Sequence, residues 1–492
     1  MYNLTEWEER ATAAHREPSV PFKRVRSMHK KGSANMAVKN LNIDWKKYYD
    51  EHQTDVETVA KTCFKDHDHW WLGQCTQVPY SLLDYLYKHM EDYTDIFMMY
   101  NCMDQPVDMM FDPESKKHFR MNSMFCVPLE RISGEMGIME YAGANYDQLD
   151  QAPFAYGCDK LAIGVCPPDE NGWCNCGGYG VSVVKAIAQR PEFKLRVAFI
   201  DPTGQYPMAG DVNDTSLHVS EFDYFVEAPT DMIAIPAAEP QDIDKKIASY
   251  ILPYIHSGDK LQIGFGGLGE AILANLRSIG RFEIFSEVAC DNMAQLVKEG
   301  VITKITACSP GACSEEFFKF CSEDSRARLI DITIGLNPFV IMQQENLVTI
   351  NAAFMCDLIG QVCAEAQGLQ VYSGTGGSFA YIYGATRAKN GRSFICLRST
   401  YVDRNGERHS DIVPWLPEGS IVTTLKNFVM YLVTEWGVAD VFCKTLKDRI
   451  RAIIKIAHPD YRQELKDKIN TSPLIGEDDW DGVDLFVTEP KK

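Results

Sequence analysis

Short β-rich runs alternate with helical segments along most of this 492-residue chain, and this alternation limits the fold more than any other feature. Strands are predicted over Ile96–Tyr100, Leu161–Cys166 and Arg196–Ile200, and helices over Ser81–Met90 and Val181–Ala188. Strands that alternate with helices are typical of parallel sheets whose faces are covered by the helices. The sequence therefore predicts an α/β fold.

An acidic, Pro-containing stretch over residues 235–244 separates two halves of similar length. We expect an N-terminal arm (1–43), an N-terminal α/β domain (44–240), a C-terminal α/β domain (241–470) and an acidic tail (471–492). The second half is expected to open with a helix through Ile251 and to close with an amphipathic helix that carries Leu446 and Ile450. Between these helices, strands are predicted over Lys260–Ile263, Lys304–Ala307, Ile330–Thr333, Val348–Asn351 and Ser393–Leu397.

Composition excludes several classes of partner. The chain has 68 acidic and 49 basic residues, and its net charge of −19 argues against a nucleic acid. The sequence shows neither an apolar run long enough for a membrane span nor the apolar core of a signal peptide, so we expect a cytoplasmic protein. The sixteen cysteines are interpreted as reduced thiols that act as small apolar side chains. Cys158, Cys166, Cys174 and Cys176 are close in sequence, but their spacing fits no usual metal site, and we predict none.

The segment Gly264-Phe265-Gly266-Gly267-Leu268-Gly269 follows a predicted strand, opens a predicted helix and matches G-x-G-x-x-G. Glu287 lies 18 positions after the last glycine of this loop, behind the β-rich run Phe282–Phe285. This arrangement is typical of a dinucleotide site in which the acidic residue binds a ribose hydroxyl. An NAD-linked oxidoreductase is therefore one hypothesis for the function.

A second glycine loop, Ser373-Gly374-Thr375-Gly376-Gly377, also lies between a strand-like run and a helix-like run. Two such loops in one domain supply two sets of backbone N–H groups that can face anionic atoms. We expect a carboxylate between them to serve acyl chemistry rather than to bind a ribose.

Several further segments resemble the acetyl-CoA hydrolase/transferase family of CoA-transferases. Besides the two glycine loops, they include Phe285-Ser286-Glu287-Val288 with Asp291 and the run Asp357–Gln361. The most specific are the closing runs Val433–Ala439 and Ile456–Asp460. The resemblance covers roughly residues 45–470 and is strongest after residue 258. It implies two related open α/β domains with the active site in the cleft between them.

The resemblance also implies site residues. Glu287 is expected to be the nucleophile and to carry coenzyme A transiently as a glutamyl-CoA thioester, with no resident cofactor. Oxyanion donors are expected at the backbone of Phe265 and Gly377 and at the side chain of Asn337. The other residues expected to bind coenzyme A or the oxyanion are Gly264, Gly266, Gly267, Leu268, Ser373, Gly374, Gly376 and Arg398, the last in place of a lysine usual in the family.

This chain departs from the family pattern chiefly in its first half, which carries many aromatic and methionine residues. Most of these are interpreted as core, and a minority as lining an acyl pocket. They are Trp70, Trp71, Tyr80, Met98, Met99, Met109, Met110, Phe125 and Tyr146. The substrate is therefore left open.

The leading functional hypothesis is a CoA-transferase that acts on an acyl-CoA and a small carboxylic acid, as a homodimer or larger homo-oligomer. An acyl-CoA hydrolase on the same scaffold is the first alternative, and the NAD-linked oxidoreductase is the second. Glu435 is the rival catalytic carboxylate, and we interpret it as a structural hydrogen-bond acceptor because no glycine loops flank it.

Overall fold

The computed structural model describes residues 39–181, 184–202, 207–229, 238–311 and 313–485. Most of the predicted N-terminal arm (1–38), the end of the predicted tail (486–492) and residues 235–237 of the stretch predicted to separate the halves lie outside these ranges. The four domain limits therefore remain predictions.

The first half contains an eight-stranded sheet in the order β1-β10-β8-β6-β2-β3-β4-β5, and every neighbouring pair in it is parallel. Strands β7 and β9 form a separate antiparallel pair. The strands are β1 (Gln53–Thr54), β2 (His69–Gln74), β3 (Ile96–Asn101), β4 (Phe119–Ser123), β5 (Met139–Tyr141), β6 (Lys160–Val165), β7 (Trp173–Asn175), β8 (Leu195–Ile200), β9 (Ser216–His218) and β10 (Tyr224–Glu227). The helices are α1 (Trp45–Glu51), α2 (Val56–Cys63), α3 (Tyr80–Lys88), α4 (Pro128–Glu135), α5 (Ala152–Ala155), α6 (Gly177–Gly180), α7 (Val184–Ala188) and α8 (Val212–Thr215).

The second half contains another eight-stranded sheet, in the order β14-β13-β12-β11-β15-β20-β24-β25, and only its last pair is antiparallel. The strands are β11 (Lys260–Ile263), β12 (Phe282–Ala289), β13 (Ile302–Pro310), β14 (Ala327–Leu329), β15 (Leu347–Ala352), β16 (Met355–Asp357), β17 (Val362–Cys363), β18 (Ala366–Gln367), β19 (Gln370–Val371), β20 (Arg392–Cys396), β21 (Thr400–Val402), β22 (Arg408–Ser410), β23 (Ile412–Val413), β24 (Tyr431–Thr434) and β25 (Gly437–Asp440). The helices are α9 (Asp242–Ile251), α10 (Gly267–Leu273), α11 (Asp291–Lys298), α12 (Glu315–Glu323), α13 (Ile332–Gly335), α14 (Pro338–Ile341), α15 (Ser378–Ala385), α16 (Leu446–Ile456) and α17 (Pro459–Ile469).

The two sheets share one topology. In the first sheet, strands β2 to β5 proceed to one edge, and β6 then returns to the other side of β2. In the second sheet, β11 to β14 do the same, and β15 returns to the other side of β11. In open α/β sheets, ligands bind outside the carboxyl ends of the strands at such a reversal. Each half therefore has one edge suited to a site, next to Gln74 in the first half and next to Gly264 in the second.

The central strands are buried on both faces, as expected of parallel strands between helical layers. All six residues of β3 are buried, for example. One continuous apolar cluster includes residues of both halves, such as Trp71 and Leu161 of the first and Leu261 and Ile305 of the second. The two halves therefore share a core.

One predicted strand, Ile330–Thr333, is wrong. Strand β14 ends at Leu329, and Ile332 begins α13, because the Asp331 side chain accepts a hydrogen bond from the Thr333 backbone N–H and caps that helix. The β-rich run predicted over Phe282–Phe285 extends to Ala289 as β12, so Glu287 lies within a strand.

The described part of the predicted tail packs on the second half. Trp480 and Leu485 are buried in the apolar cluster that contains Ile450 and Ile453 of α16. Ile475 of the same segment is buried there too, so three apolar side chains anchor this acidic segment.

Candidate active site

Glu287 lies near the carboxyl end of β12 and is partly exposed. The backbone N–H of Gly377 donates to both carboxylate oxygens of Glu287, at 3.1 Å to Oε1 and 3.2 Å to Oε2. Burial raises the pKa of Glu287 to about 7, although the hydrogen bond from Gly377 acts in the opposite direction. Much of this carboxyl group is therefore ionised at neutral pH, in an environment that leaves the anion weakly solvated.

The second glycine loop reaches Glu287 from the turn between β19 and α15. A Cβ atom at Gly377 would lie 2.8 Å from Cδ of Glu287 and 2.5 Å from Cδ2 of Leu336, so only glycine fits this position. Glu365 holds the loop, because its backbone carbonyl accepts from the Ser373 N–H at 3.2 Å and its Oε2 accepts from Thr375 Oγ1 at 3.3 Å. Glu365 is not predictable from the sequence, since no motif surrounds it.

The first glycine loop forms a tight turn from β11 into α10. Gly266 has φ +112°, in the region that favours glycine, and a Cβ atom at Gly269 would collide with the carbonyl oxygen of Gly264. Phe265 exposes 58% of its surface, and Leu268 packs partly against the core. No hydrogen bond of the described residues joins this loop to Glu287, so its predicted contact with an oxyanion stays a prediction.

Asn337 follows Leu336, which contacts Gly377 of the second loop, and Arg398 lies on the side of the first loop. The side-chain oxygen of Asn337 accepts from the Phe339 backbone N–H at 2.9 Å and caps α14. Arg398 is half exposed, and its Nη2 donates to Gln241 Oε1 at 2.9 Å and lies 3.9 Å from Asp244 Oδ1. A Cβ atom at Gly267 would collide with Asp244, so Arg398 lies near the first loop. The structure brings both residues to the region, and their binding roles remain predictions.

The first half contributes to this site through residues after its own strands. The backbone N–H of Tyr146 donates to the Gly376 carbonyl at 3.1 Å, and the Phe125 ring lies 3.2 Å from where a Cβ atom of Gly376 would be. By contrast, Trp70 and Trp71 are fully buried in the core. The prediction that most first-half aromatic residues are core holds for these tryptophans, whereas Phe125 and Tyr146 border the second glycine loop.

The rival residues have structural partners. Glu435 accepts a hydrogen bond from the Ser399 backbone N–H at 3.0 Å and another from the Ser399 hydroxyl. The His458 ring caps α17 through the Asp460 backbone N–H. Among the described residues, the one group of potential metal ligands close enough to share an ion is Asp403, Glu407 and His409, on or between the hairpin strands β21 and β22.

Thirteen of the sixteen cysteines are buried, including all four between residues 158 and 176. Cys158, Cys174 and Cys176 lie in the apolar cluster that links the two halves, whereas Cys166 does not. Within the described ranges, no helix is long and apolar enough to cross a membrane.

Comparison with known proteins identifies the family. The C-terminal domain of the acetyl-CoA hydrolase/transferase family matches residues 313–469. The 4-hydroxybutyrate coenzyme A transferase of Clostridium kluyveri is 30% identical over 434 residues, which cover 86% of this chain and 98% of that protein. The butyryl-CoA:acetate CoA-transferase of Anaerostipes caccae is 28% identical and covers 85% of this chain and 96% of its own length.

The fold also matches a solved structure. RipA from Yersinia pestis superposes with a TM-score of 0.77 at 24% sequence identity and covers 88% of this chain and 100% of its own. The predicted α/β class with two related sheets is thereby confirmed. The chain belongs to the acetyl-CoA hydrolase/transferase family and is an enzyme of its CoA-transferase class.

Proposed function

We propose that this enzyme transfers coenzyme A from an acyl-CoA to a carboxylic acid through a glutamyl-CoA thioester on Glu287. The observation that carries the proposal is the position of the Glu287 carboxylate, in the cleft between the halves, where it accepts a hydrogen bond from Gly377 of the second glycine loop. A backbone N–H aimed at a carboxylate can also stabilise the oxyanion that forms when this group reacts.

The first half-reaction proceeds in two substitutions. A carboxylate oxygen of Glu287 attacks the thioester carbonyl, the C–S bond breaks, and a mixed anhydride and the CoA thiolate are formed. The thiolate then attacks the glutamyl carbonyl of the anhydride. The first acid leaves as its carboxylate, and coenzyme A remains bound to Glu287 as a thioester.

The second half-reaction runs these steps in reverse with another acid. Its carboxylate attacks the glutamyl thioester and releases the CoA thiolate, which attacks the new acyl carbonyl of the anhydride. The new acyl-CoA leaves, and the Glu287 carboxylate is restored. Because one acid leaves before the next enters, initial-rate kinetics should be ping-pong, with parallel double-reciprocal lines. Intersecting lines would indicate a ternary complex instead.

Replacing Glu287 tests the nucleophile. Glu287→Gln and Glu287→Ala should each lower transfer at least about 10⁴-fold, because neither side chain can form the anhydride. Glu283→Gln is the matched control, since Glu283 lies on the same strand with an exposed side chain, and this variant should retain activity. A tenth of wild-type activity in both Glu287 variants would exclude this residue as the nucleophile.

Trapping the intermediate separates transfer from hydrolysis. With an acyl-CoA and no acceptor acid, a tryptic peptide containing Phe282–Lys298 should gain the mass of coenzyme A less water. Borohydride should reduce the loaded glutamyl thioester and inactivate the enzyme while leaving the free enzyme active. Continuous release of coenzyme A without any adduct would identify an acyl-CoA hydrolase. A coenzyme A adduct on Glu435 or on a cysteine would show that this other residue is the nucleophile.

A further inference from the structure

Glu130 is a buried carboxyl group that takes no part in the proposed chemistry. It lies in α4, the helix that follows β4, and it is 0% exposed. Burial raises the pKa of Glu130 to about 8, although hydrogen bonds from backbone N–H groups act in the opposite direction. Burying such a group costs free energy unless it is well hydrogen-bonded, so the hydrogen bonds that Glu130 makes indicate its role.

Glu130 joins two loops that follow neighbouring strands. Its Oε1 accepts a hydrogen bond from the Met103 backbone N–H at 3.3 Å, in the loop after β3. Its Oε2 accepts from the Val127 backbone N–H at 2.8 Å, at the start of α4. A side chain that only capped the helix would need the second bond alone. The bond from Met103 therefore indicates that Glu130 also holds the loop after β3 against the loop after β4.

The loop after β4 is fixed at a second point. The buried Asn101 side chain, at the end of β3, accepts a hydrogen bond from the Met124 backbone N–H at 2.9 Å. Segment 124–127 is thus held at both ends, at Met124 by Asn101 and at Val127 by Glu130. Its path past the carboxyl end of the first sheet is set by these two side chains.

Segment 124–127 lies directly against the second glycine loop. A Cβ atom at Gly374 would collide with the carbonyl oxygen of Met124, and a Cβ atom at Gly376 would lie 3.2 Å from the Phe125 ring. Two backbones in such close contact cannot move independently, because neither has a flexible side chain between them. A shift of segment 124–127 therefore moves the second glycine loop.

We infer that Glu130 is a positioning residue, which holds segment 124–127 so that the second glycine loop keeps the Gly377 N–H directed at Glu287. The role assigned to Glu130 rests on the proposed transfer through Glu287. Without the Glu130 carboxyl group the Val127 end of the segment is released, and the loop that it supports can move away from the reacting carboxylate. A displaced hydrogen-bond donor stabilises the oxyanion less well.

Replacing Glu130 tests this role. Glu130→Ala removes both hydrogen bonds and should lower kcat about 100-fold, with KM for the acyl-CoA changed less than about threefold. Loss of an interaction made only in the transition state lowers kcat and kcat/KM together. Glu130→Gln keeps the volume and one accepting oxygen, so its kcat should fall only about tenfold. Wild-type kcat in either variant, with or without a raised KM, would overturn the inference, and Glu130→Gln decides alone if Glu130→Ala does not fold.

Asp259→Asn is the matched control for loss of stability. Asp259 is also buried, and its carboxylate accepts from the His256 backbone N–H and from Arg392, at 2.6 Å each. It precedes β11, at the edge of the second sheet opposite to Glu287, so Asp259→Asn should lower the Tm without lowering kcat. An equal fall in kcat in this control would show that destabilisation alone causes the loss, and the positioning role would be overturned.

Combining Glu130→Ala with Gly374→Ala tests the route of the effect. Both changes disturb the same contact between segment 124–127 and the second glycine loop. The double variant should therefore lose little more activity than the more impaired single variant. Changes at independent sites multiply their effects on rate, and a full product would overturn the inference while leaving the proposed transfer intact. Activity retained in the Glu287 variants would instead overturn the proposed transfer itself.

Discussion

Glu287, the proposed nucleophile, combines two properties that favour attack by a carboxylate. Its position in the cleft strips water from the anion, and the Gly377 N–H fixes its orientation. The cause of the raised pKa is burial, and burial also makes the anion more reactive because fewer water molecules must be displaced before attack. Both the catalytic rate and the folding stability should therefore depend on pH through the ionisation of Glu287.

The pH dependence of catalysis follows from this titration. Because attack requires the ionised carboxylate and the pKa of Glu287 is about 7, kcat/KM for the acyl-CoA should fall about tenfold per unit below that pH. The measurement is an initial-rate profile from pH 5 to 9 with a donor whose own ionisation does not change in that range. A flat profile between pH 5 and 7 would contradict the assignment.

Stability should respond in the opposite sense. A carboxyl group with a raised pKa binds more protons in the folded state than in the unfolded state, so its contribution to stability falls as pH rises from the unfolded value toward 7. Glu287→Gln removes the buried charge and should raise the Tm by about 1–2 °C at pH 8. The difference should shrink below pH 6, and Glu283→Gln should show no comparable trend. A lower Tm for Glu287→Gln at pH 8 would show that the ionised Glu287 carboxylate does not destabilise the folded state.

At the scale of elements, two turns place the site. The turn from β11 into α10 is closed by glycines at positions 266 and 269, and the turn before α15 rests against β12 and the segment after β4. Each turn brings backbone N–H groups to the carboxyl edge of the sheet. Side chains larger than hydrogen are excluded at the points of closest approach, which explains why the loops are rich in glycine.

Gly374→Ala tests this close approach. A Cβ atom at Gly374 would collide with the backbone carbonyl of Met124, and a carbonyl cannot rotate away as a flexible side chain can. The second glycine loop must then shift relative to Glu287, and we expect transfer to fall about 100-fold, because small displacements at a reacting centre are costly. Gly143→Ala is the control, since nothing lies within 4 Å of its Cβ position. Full activity in Gly374→Ala would show that the loop is not held against the first half.

At the scale of the whole molecule, the two sheets depend on each other. Their shared apolar cluster is supplemented by polar contacts such as Tyr179 Oη to the Gly311 carbonyl at 3.2 Å and the ion pair of Asp214 with Arg328. A site in the cleft needs this coupling, since Glu287 and the second glycine loop come from one half and Phe125 and Tyr146 come from the other.

Thermal unfolding should therefore occur in a single calorimetric transition, with the first and second halves losing structure together. The physical reason is that separating the halves exposes a common core rather than a wet interface. Two resolved transitions would show that the halves are energetically independent. Trp480 and Leu485 are buried in a separate apolar cluster of the second half, so truncation before residue 477 should lower the Tm.

The sequence by itself determined the α/β class, most strand positions, the two glycine-rich turns and the strand end that carries Glu287. These features are local: strands buried on both faces are continuous apolar runs, tight turns with positive φ need glycine, and a carboxylate within a strand end is visible in the sequence. The strand over Lys260–Ile263 was predicted with its observed limits, and the error at Ile330–Thr333 arose where a helix cap competed with an apolar run.

Only the tertiary structure decided which residues face Glu287. The G-x-G-x-x-G loop alone fits a nucleotide site, in which Glu287 would bind a ribose hydroxyl. In the structure, the Glu287 carboxylate instead accepts a hydrogen bond from Gly377, 90 positions further along the chain. Phe125 and Tyr146 carry no local mark that separates them from the core aromatic residues around them. Strand order brings them to the cleft, and strand order depends on long-range packing that no short segment encodes.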